Sequence, residues 1–314
     1  MYNYDFSSYF CEQGEFMIEI LIEKKVRTDK EGYEFLIGLY QRVKSQRDKD
    51  VRLDFSLCQS FDANLSSVLG AILDELMLSE YTFWFARLNT GVLKTLTKNG
   101  FLKTAKGDFQ TIAKEQETFI RYQKFSIIEG NTFKSYIDSE LINKQKFPKH
   151  TENVGKNINA NIYEIFVNAT IHGNCKSVYC CGEYHPDKSP PKLDMTIVDC
   201  GTTIHENVNT FFKSIKKDHI EPDYAIEWAI REGNTTKDTT GGLGLSLLME
   251  FLSLNKGSLH IISSSGELIY EDGQISTARL NDAFPGTIVN MQFNFDDDKI
   301  YYMSNEKTDL NNLL

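Results

Sequence analysis

Among its 314 residues the chain has only 6 prolines and 2 tryptophans, no apolar run of membrane-spanning length and no excess of positive charge. Each shortage excludes something. So few prolines build no proline-rich linker, and neither an internal repeat nor a low-complexity segment is present. Without about twenty consecutive apolar residues there is no candidate transmembrane helix. The opening MYNYDFSSYF lacks the basic start and apolar centre of a signal peptide. A net charge of -10 works against nonspecific binding to nucleic acid, which relies on Lys and Arg at phosphates. The 6 cysteines (Cys11, Cys58, Cys175, Cys180, Cys181 and Cys200) show no C-x-x-C spacing, which predicts reduced thiols in a cytoplasmic protein without zinc.

What remains is an ordinary soluble composition, 41% hydrophobic and 25% charged, with room for two domains and a substantial core. Residues 1–105 read as strand (16–23), helix (30–45), strand (51–57), helix (65–78), strand (81–88) and a short helix (92–98) closed by Asn99-Gly100. That alternation predicts an α/β layer unit. Residues 106–116 are a polar linker, 117–295 a second unit, and 296–314 a tail with an acidic start. In the second unit a strand is expected over 117–127 and a helix over 132–146, ended near Pro148. The adjacent Cys180 and Cys181 fall on a predicted strand, so they should face opposite sides. A helix over 225–232 ends at Gly233, followed by the polar run 234–240, in which Lys237 could reach a phosphate although a solvated lysine is the plainer role.

Three segments carry chemistry. In residues 161–173, NIYEIFVNATIHG, the residues Glu164, Asn168 and His172 recur every four positions and share one helix face. Asn157 and Asn161 extend that stripe backwards, while Ile158, Ile162, Ile165, Phe166 and Ala169 form an apolar one. Asn is a poor helix former, so a wall of Asn, carboxylate and His suits a metal ion and a polar ligand better than bare solvent. Gly173 is expected to end the helix in a left-handed conformation. Residues 192–200, KLDMTIVDC, form a β-branched run ending in Asp199, followed by Gly201-Thr202-Thr203. An Asp at a strand end with a Gly behind it can aim a carboxylate at a ligand that the backbone passes closely. Third, Thr240-Gly241-Gly242-Leu243-Gly244-Leu245 runs from a glycine loop into an apolar helix, whose start offers N–H groups to phosphates. No Rossmann G-x-G-x-x-G and no Walker lysine sequence is present.

The order of these three segments resembles the GHKL ATPase superfamily: gyrase B, the heat-shock chaperone class, histidine kinases and the MutL mismatch-repair proteins. EIFVNATIHGN looks most like the asparagine box of the anti-sigma-factor serine/threonine kinases. The resemblance covers about residues 115–295. It implies a Bergerat-type α/β sandwich, a mixed sheet covered by helices, with ATP and Mg²⁺ between the sheet and a mobile lid. By matching position, Glu164 would be the general base, Asn168 the Mg²⁺ ligand and Asp199 the adenine-reading carboxylate. Gly241, Gly242 and Gly244 would form the phosphate loop, flanked by Thr240, Leu243 and Leu245. His172, Gly201 and Thr203 would line the nucleotide, and Thr287 would sit near Asp199. One departure is that Thr203 replaces the usual second glycine of the Asp-x-Gly-x-Gly box.

Residues 1–105 more loosely resemble a STAS domain, the fold of anti-sigma-factor antagonists, through VRLDFS, FWFARLN and the closing NGFL. The turn that would carry a phosphorylatable hydroxyl is Phe61-Asp62-Ala63-Asn64-Leu65, without one. Asp62 is expected to cap the following helix, and Ser66 and Ser67 to lie inside it. This unit then reads as an interaction module.

Three functions compete: a serine/threonine protein kinase acting on a protein partner, an ATP-hydrolysing or ATP-gated switch working through the STAS-like module, and a module that holds ATP without turnover. Hydrolysis and phosphoryl transfer need the same base and metal, so these motifs do not separate the first two. A histidine kinase in the strict sense is disfavoured, because no histidine precedes His150. The partner is a protein, regulatory or substrate, and a homodimer is left open.

Overall fold

A computed structural model describes residues 3–4, 18–102, 118–144, 147–231, 233–234, 244–295, 299–302 and 306. The chain is a mixed α/β protein whose described residues form a four-stranded parallel sheet, a two-stranded parallel sheet and a five-stranded antiparallel sheet. No helix among the described residues is long and apolar enough to cross a membrane.

The first part contains β1 (Asn3–Tyr4), β2 (Ile18–Leu21), β3 (Lys25–Val26), α1 (Lys30–Lys44), β4 (Asp50–Asp54), β5 (Ser60–Phe61), α2 (Ser66–Met77), β6 (Thr82–Ala86) and α3 (Thr90–Lys98). Its main sheet runs β1-β6-β4-β2, parallel at every pairing. Local chemistry sets the helix starts. The Asp29 carboxylate accepts from Gly32 N–H at 2.9 Å to begin α1, and Asn89 accepts from Val92 N–H to begin α3. Asp62 does not cap α2 as expected. Its carboxylate accepts instead from the backbone and hydroxyl of Thr28, at 2.8 and 3.1 Å, a tie across the chain that outcompetes the local one. The strand expected over 51–57 stops at Asp54, where the carboxylate turns back to accept from Ser56 N–H.

The second part contains β7 (Phe119–Ser126), α4 (Gly130–Ile137), α5 (Glu152–Ile171), β8 (Ser177–His185), β9 (Lys192–Asp199), α6 (Ile204–Ser214), α7 (Pro222–Ile230), α8 (Gly244–Asn255), β10 (Ser258–Glu271) and β11 (Gln274–Asn294). The helix expected over 132–146 is shorter, since α4 widens into a π turn at Asp138–Ile142. The sheet order is β10-β11-β9-β8-β7. The mixed sheet that was expected is antiparallel at all its pairings. The reason is connectivity: β8–β9 and β10–β11 are hairpins, and the latter turns on Asp272 and Gly273, both left-handed at φ 51 and 75.

This sheet is buried on both faces, and strand alternation sorts the two sets. Cys180, Ile197, Val289 and Ile261 face α5 and α8 in one core. Cys181, Val198, Ile288 and Ile262 face α1 and α2 in another, which continues into the parallel sheet through Leu53, Phe83 and Phe85. The two adjacent cysteines thus point to opposite sides, as predicted. Helix α2 is apolar nearly all round because it is enclosed between the two sheets. The linker 106–116 lies outside the described residues, as does all of the tail 296–314 except 299–302 and Glu306.

Candidate functional site

A cleft with a cavity volume of about 140 Å³ opens between α5 and the antiparallel sheet. A buried water needs only about 10–15 Å³ on the same measure, so the space suits a ligand. Its lining includes Glu164, Asn168 and His172 from α5, Asp199, Thr287, Val289 and Ile261 from the sheet, and Leu245 from α8. Six of the expected catalytic, metal and nucleotide-binding residues therefore meet at one cavity: Glu164, Asn168, His172, Asp199, Leu245 and Thr287.

The register explains the meeting at the sheet. Asp199 pairs with Thr287, and Thr287 with Ser263, across β9, β11 and β10. Directly paired residues of antiparallel strands share a face, so these three form a polar row at the sheet's edge of the cleft. Below it, Ile197, Val289 and Ile261 form the next row, an apolar floor. Asp199 is buried, and its Oδ1 has no hydrogen-bond partner. Burial pushes its carboxyl up to about 7. Leaving a buried acceptor unmatched is costly, and a donor reaching this carboxylate would relieve that cost. The flanking thiols are no rival chemistry, because burial pushes Cys175 up to about 12 and Cys200 well above its ordinary value.

Close approach of the backbone supports the row. Gly173 does not take the left-handed conformation expected of it; Asn174 does, at φ 46. Gly173 is required because a Cβ there would lie 2.5 Å from the Ala169 carbonyl oxygen and 3.1 Å from Asp199 Oδ1. A Cβ on Gly201 would lie 2.1 Å from the Gly173 carbonyl oxygen. Gly201 thus joins the helix end to the strand end, and it does not line the cavity.

Thr203 does not line it either. Its hydroxyl accepts from Glu206 N–H at 3.2 Å, and the Glu206 carboxylate accepts from Thr203 N–H at 2.9 Å, a complete capping box for α6. Where the resembled family has a glycine, this chain begins a firmly capped helix, and Thr202 takes the wall position.

At the other end of the cleft, Glu164 and Asn168 stand one helical turn apart and partly exposed. Neither side chain has a hydrogen bond or ion pair among the described residues, which leaves an oxygen-donor pair of the kind a hard cation takes. Asn157 is exposed and Asn161 buried, and neither reaches the cavity. Gly244 begins α8. Thr240, Gly241, Gly242 and Leu243 lie outside the described residues, as do the lid expected there and Lys237.

Several wall residues were not among those the sequence assigned to the site, although Asn234 opens the polar run noted there. Asn207 on α6 donates to the His172 carbonyl at 3.0 Å and so ties α6 to the end of α5. Trp228 and Ala229 on α7 and Asn234 beyond it close a further side. Only the packing of α6 and α7 onto the sheet brings them there. No protein-family model matches the chain, and no curated protein matches it.

Proposed function

We propose that the chain is a cytoplasmic ATP-binding regulator, with a GHKL-type ATPase unit of the Bergerat kind over 117–295 and a STAS-like interaction unit over 1–105. The reaction it supports best is phosphoryl transfer from MgATP to a serine or threonine of a protein partner. The observation that carries this is Asp199, a buried carboxylate on the wall of a cleft, one of whose oxygens has no hydrogen-bond partner. Its neighbour is Thr287, and the opposite wall carries Glu164 and Asn168. A base bearing an amino group supplies the donor that Asp199 lacks, and the apolar floor suits its flat face.

Asn168 would hold Mg²⁺, which when bound neutralises phosphate charge. Glu164, one turn away, is placed to accept the proton of the attacking hydroxyl. That hydroxyl belongs to a partner side chain in the kinase reading and to water in the ATPase reading. One observation favours an ATP-gated switch as the second reading. The first unit shares a core with the same strands that floor the cleft, so a shift of those strands on nucleotide binding would be felt there.

The test uses γ-labelled ATP with Mg²⁺, with the protein alone and with proteins encoded beside it. Label on a partner supports the kinase, and free phosphate alone supports the switch. Glu164→Gln should bind MgATP like the parent while turnover falls by about two to four orders of magnitude. A parent with no turnover under any condition would contradict both enzyme readings and leave a module that holds ATP.

A further inference from the structure

We infer that Ser263, which does not line the cleft, fixes the direction of the Thr287 hydroxyl and so makes the base-reading end of the site a pair of acceptors selective for an amino group. This rests on the ATP reading above and adds to it a positioning residue and a basis for base selectivity.

Ser263 is fully buried on β10 and has three polar neighbours. Ile204 N–H donates to its oxygen at 3.0 Å. The Gly286 carbonyl lies 3.0 Å away, placed to accept from it. The Thr287 hydroxyl is also at 3.0 Å, a contact in which either oxygen is geometrically able to donate. A serine hydroxyl has one hydrogen and two lone pairs. Ile204 is the first residue of α6, and its N–H is one of those a helix start leaves without an intrahelical partner, so it occupies one lone pair. One arrangement alone satisfies all three contacts together: Ser263 donates to Gly286 and accepts from both Ile204 and Thr287.

The consequence is at Thr287. Its single hydrogen is turned inward to Ser263, so towards the cleft its oxygen can only accept. Asp199, paired with it on the next strand, is acceptor-only when ionised, and a donating ligand favours that form. Two acceptors side by side match a nitrogen carrying two hydrogens, the amino group of adenine. A keto oxygen in the same place would meet acceptors on both sides. Rejection through unpaired buried polar groups is a strong form of discrimination.

The experiment is calorimetric titration of the full chain with MgATP and with magnesium inosine triphosphate, which carries a keto oxygen in place of the amino group. The parent should prefer ATP by about 100-fold or more. In Ser263→Ala the Thr287 hydroxyl is released to donate to the keto oxygen. The preference should therefore fall by at least about tenfold, with cooperative melting retained. In a Thr287→Val background the same substitution should leave the preference unmoved. If Ser263→Ala does not fold, Thr287→Val alone carries the test, weakening ATP while leaving the inosine nucleotide unweakened. A parental preference in folded Ser263→Ala, an equal effect of that substitution in both backgrounds, or equal weakening of both nucleotides by Thr287→Val would overturn the inference. If the parent binds neither nucleotide, the ATP reading itself fails and takes this inference with it. Parental binding with an unmoved ratio overturns this inference alone.

Discussion

Two aspartates on β9, Asp194 and Asp199, are both buried yet stand in opposite electrostatic states. Asp194 lies on the sheet face turned to α1 and α2, among partners. Its Oδ1 accepts from Asn290 at 3.2 Å and from Gln292 at 3.0 Å. Its Oδ2, like Asp199 Oδ1, accepts no hydrogen bond, but His185 at 3.3 Å and Lys188 at 3.9 Å stand within ion-pair distance of it. Burial alone would raise its carboxyl, but His185, Gln292 and Lys188 hold it below the ordinary range. Asp199 faces the cleft, and burial without an opposing partner raises it to about 7. Burial alone therefore does not set the state of a carboxylate; the charged and polar groups beside it do.

The two faces of the sheet repeat the contrast. On the face turned to α1 and α2, Asn64 donates to Thr196 at 2.9 Å, Thr196 donates to Asn290 at 2.8 Å, and Asn290 donates to Asp194. Asn64 sits in the turn that lacks a phosphorylatable hydroxyl, and here its side chain closes an internal interface. Towards the cleft, Asp199 Oδ1 and the side chains of Glu164 and Asn168 make no hydrogen bond among the described residues.

The contrast can be broken from either side. The largest effect is expected on the satisfied face. Asp194→Ala strands His185, Asn290 and Gln292 and should cost about 3–5 kcal/mol of unfolding free energy, read by urea denaturation. A loss below about 1 kcal/mol, the scale of one ordinary hydrogen bond, would show that the network is not holding the interface.

On the cleft face the sign reverses. Because the folded carboxyl of Asp199 is raised, the proton it keeps stabilises the empty protein fully below the unfolded carboxylate value, near 4. That stability is lost as pH rises through about 7. Asp199→Asn removes the penalty. The empty variant should be more stable than the parent above pH 7, by a few kcal/mol at most, and should match it near pH 4. Parallel melting curves across that pH range check this; a constant offset at every pH would mean that Asp199 is not the group titrating.

The smallest effect is expected at the metal position. Asn168→Ala should leave binding of metal-free ADP nearly unchanged and remove about tenfold of the tightening that Mg²⁺ gives, measured by titration with and without the metal. Equal losses in both titrations would point to a disturbed α5.

Much of this site was legible in the sequence because it lies within short segments. The four-residue spacing on α5 and the carboxylate at the end of β9 identify their residues locally. Thr287 emerged with them through the resemblance. Other features were not legible because they belong to the packing. Ser263, Asn207 and Trp228 reach the site through sheet register and helix docking, which no local pattern encodes. The antiparallel sheet left one unread sign, Asp272-Gly273, a dipeptide that favours tight hairpins. The burial of α2 left another in its run SSVLGAILDELM, apolar nearly all round until Asp74 and Glu75 near its end. Gly173 and Thr203 were assigned roles by position that their surroundings changed, one to close packing and the other to a helix cap.

The most direct test of the central claim is calorimetric titration of MgATP into the parent and into Asp199→Asn, both verified as folded. The parent should bind MgATP saturably and the variant should bind it at least about 100-fold more weakly, because the amide places a donor where an acceptor is needed. Equal affinity in the two proteins would contradict it.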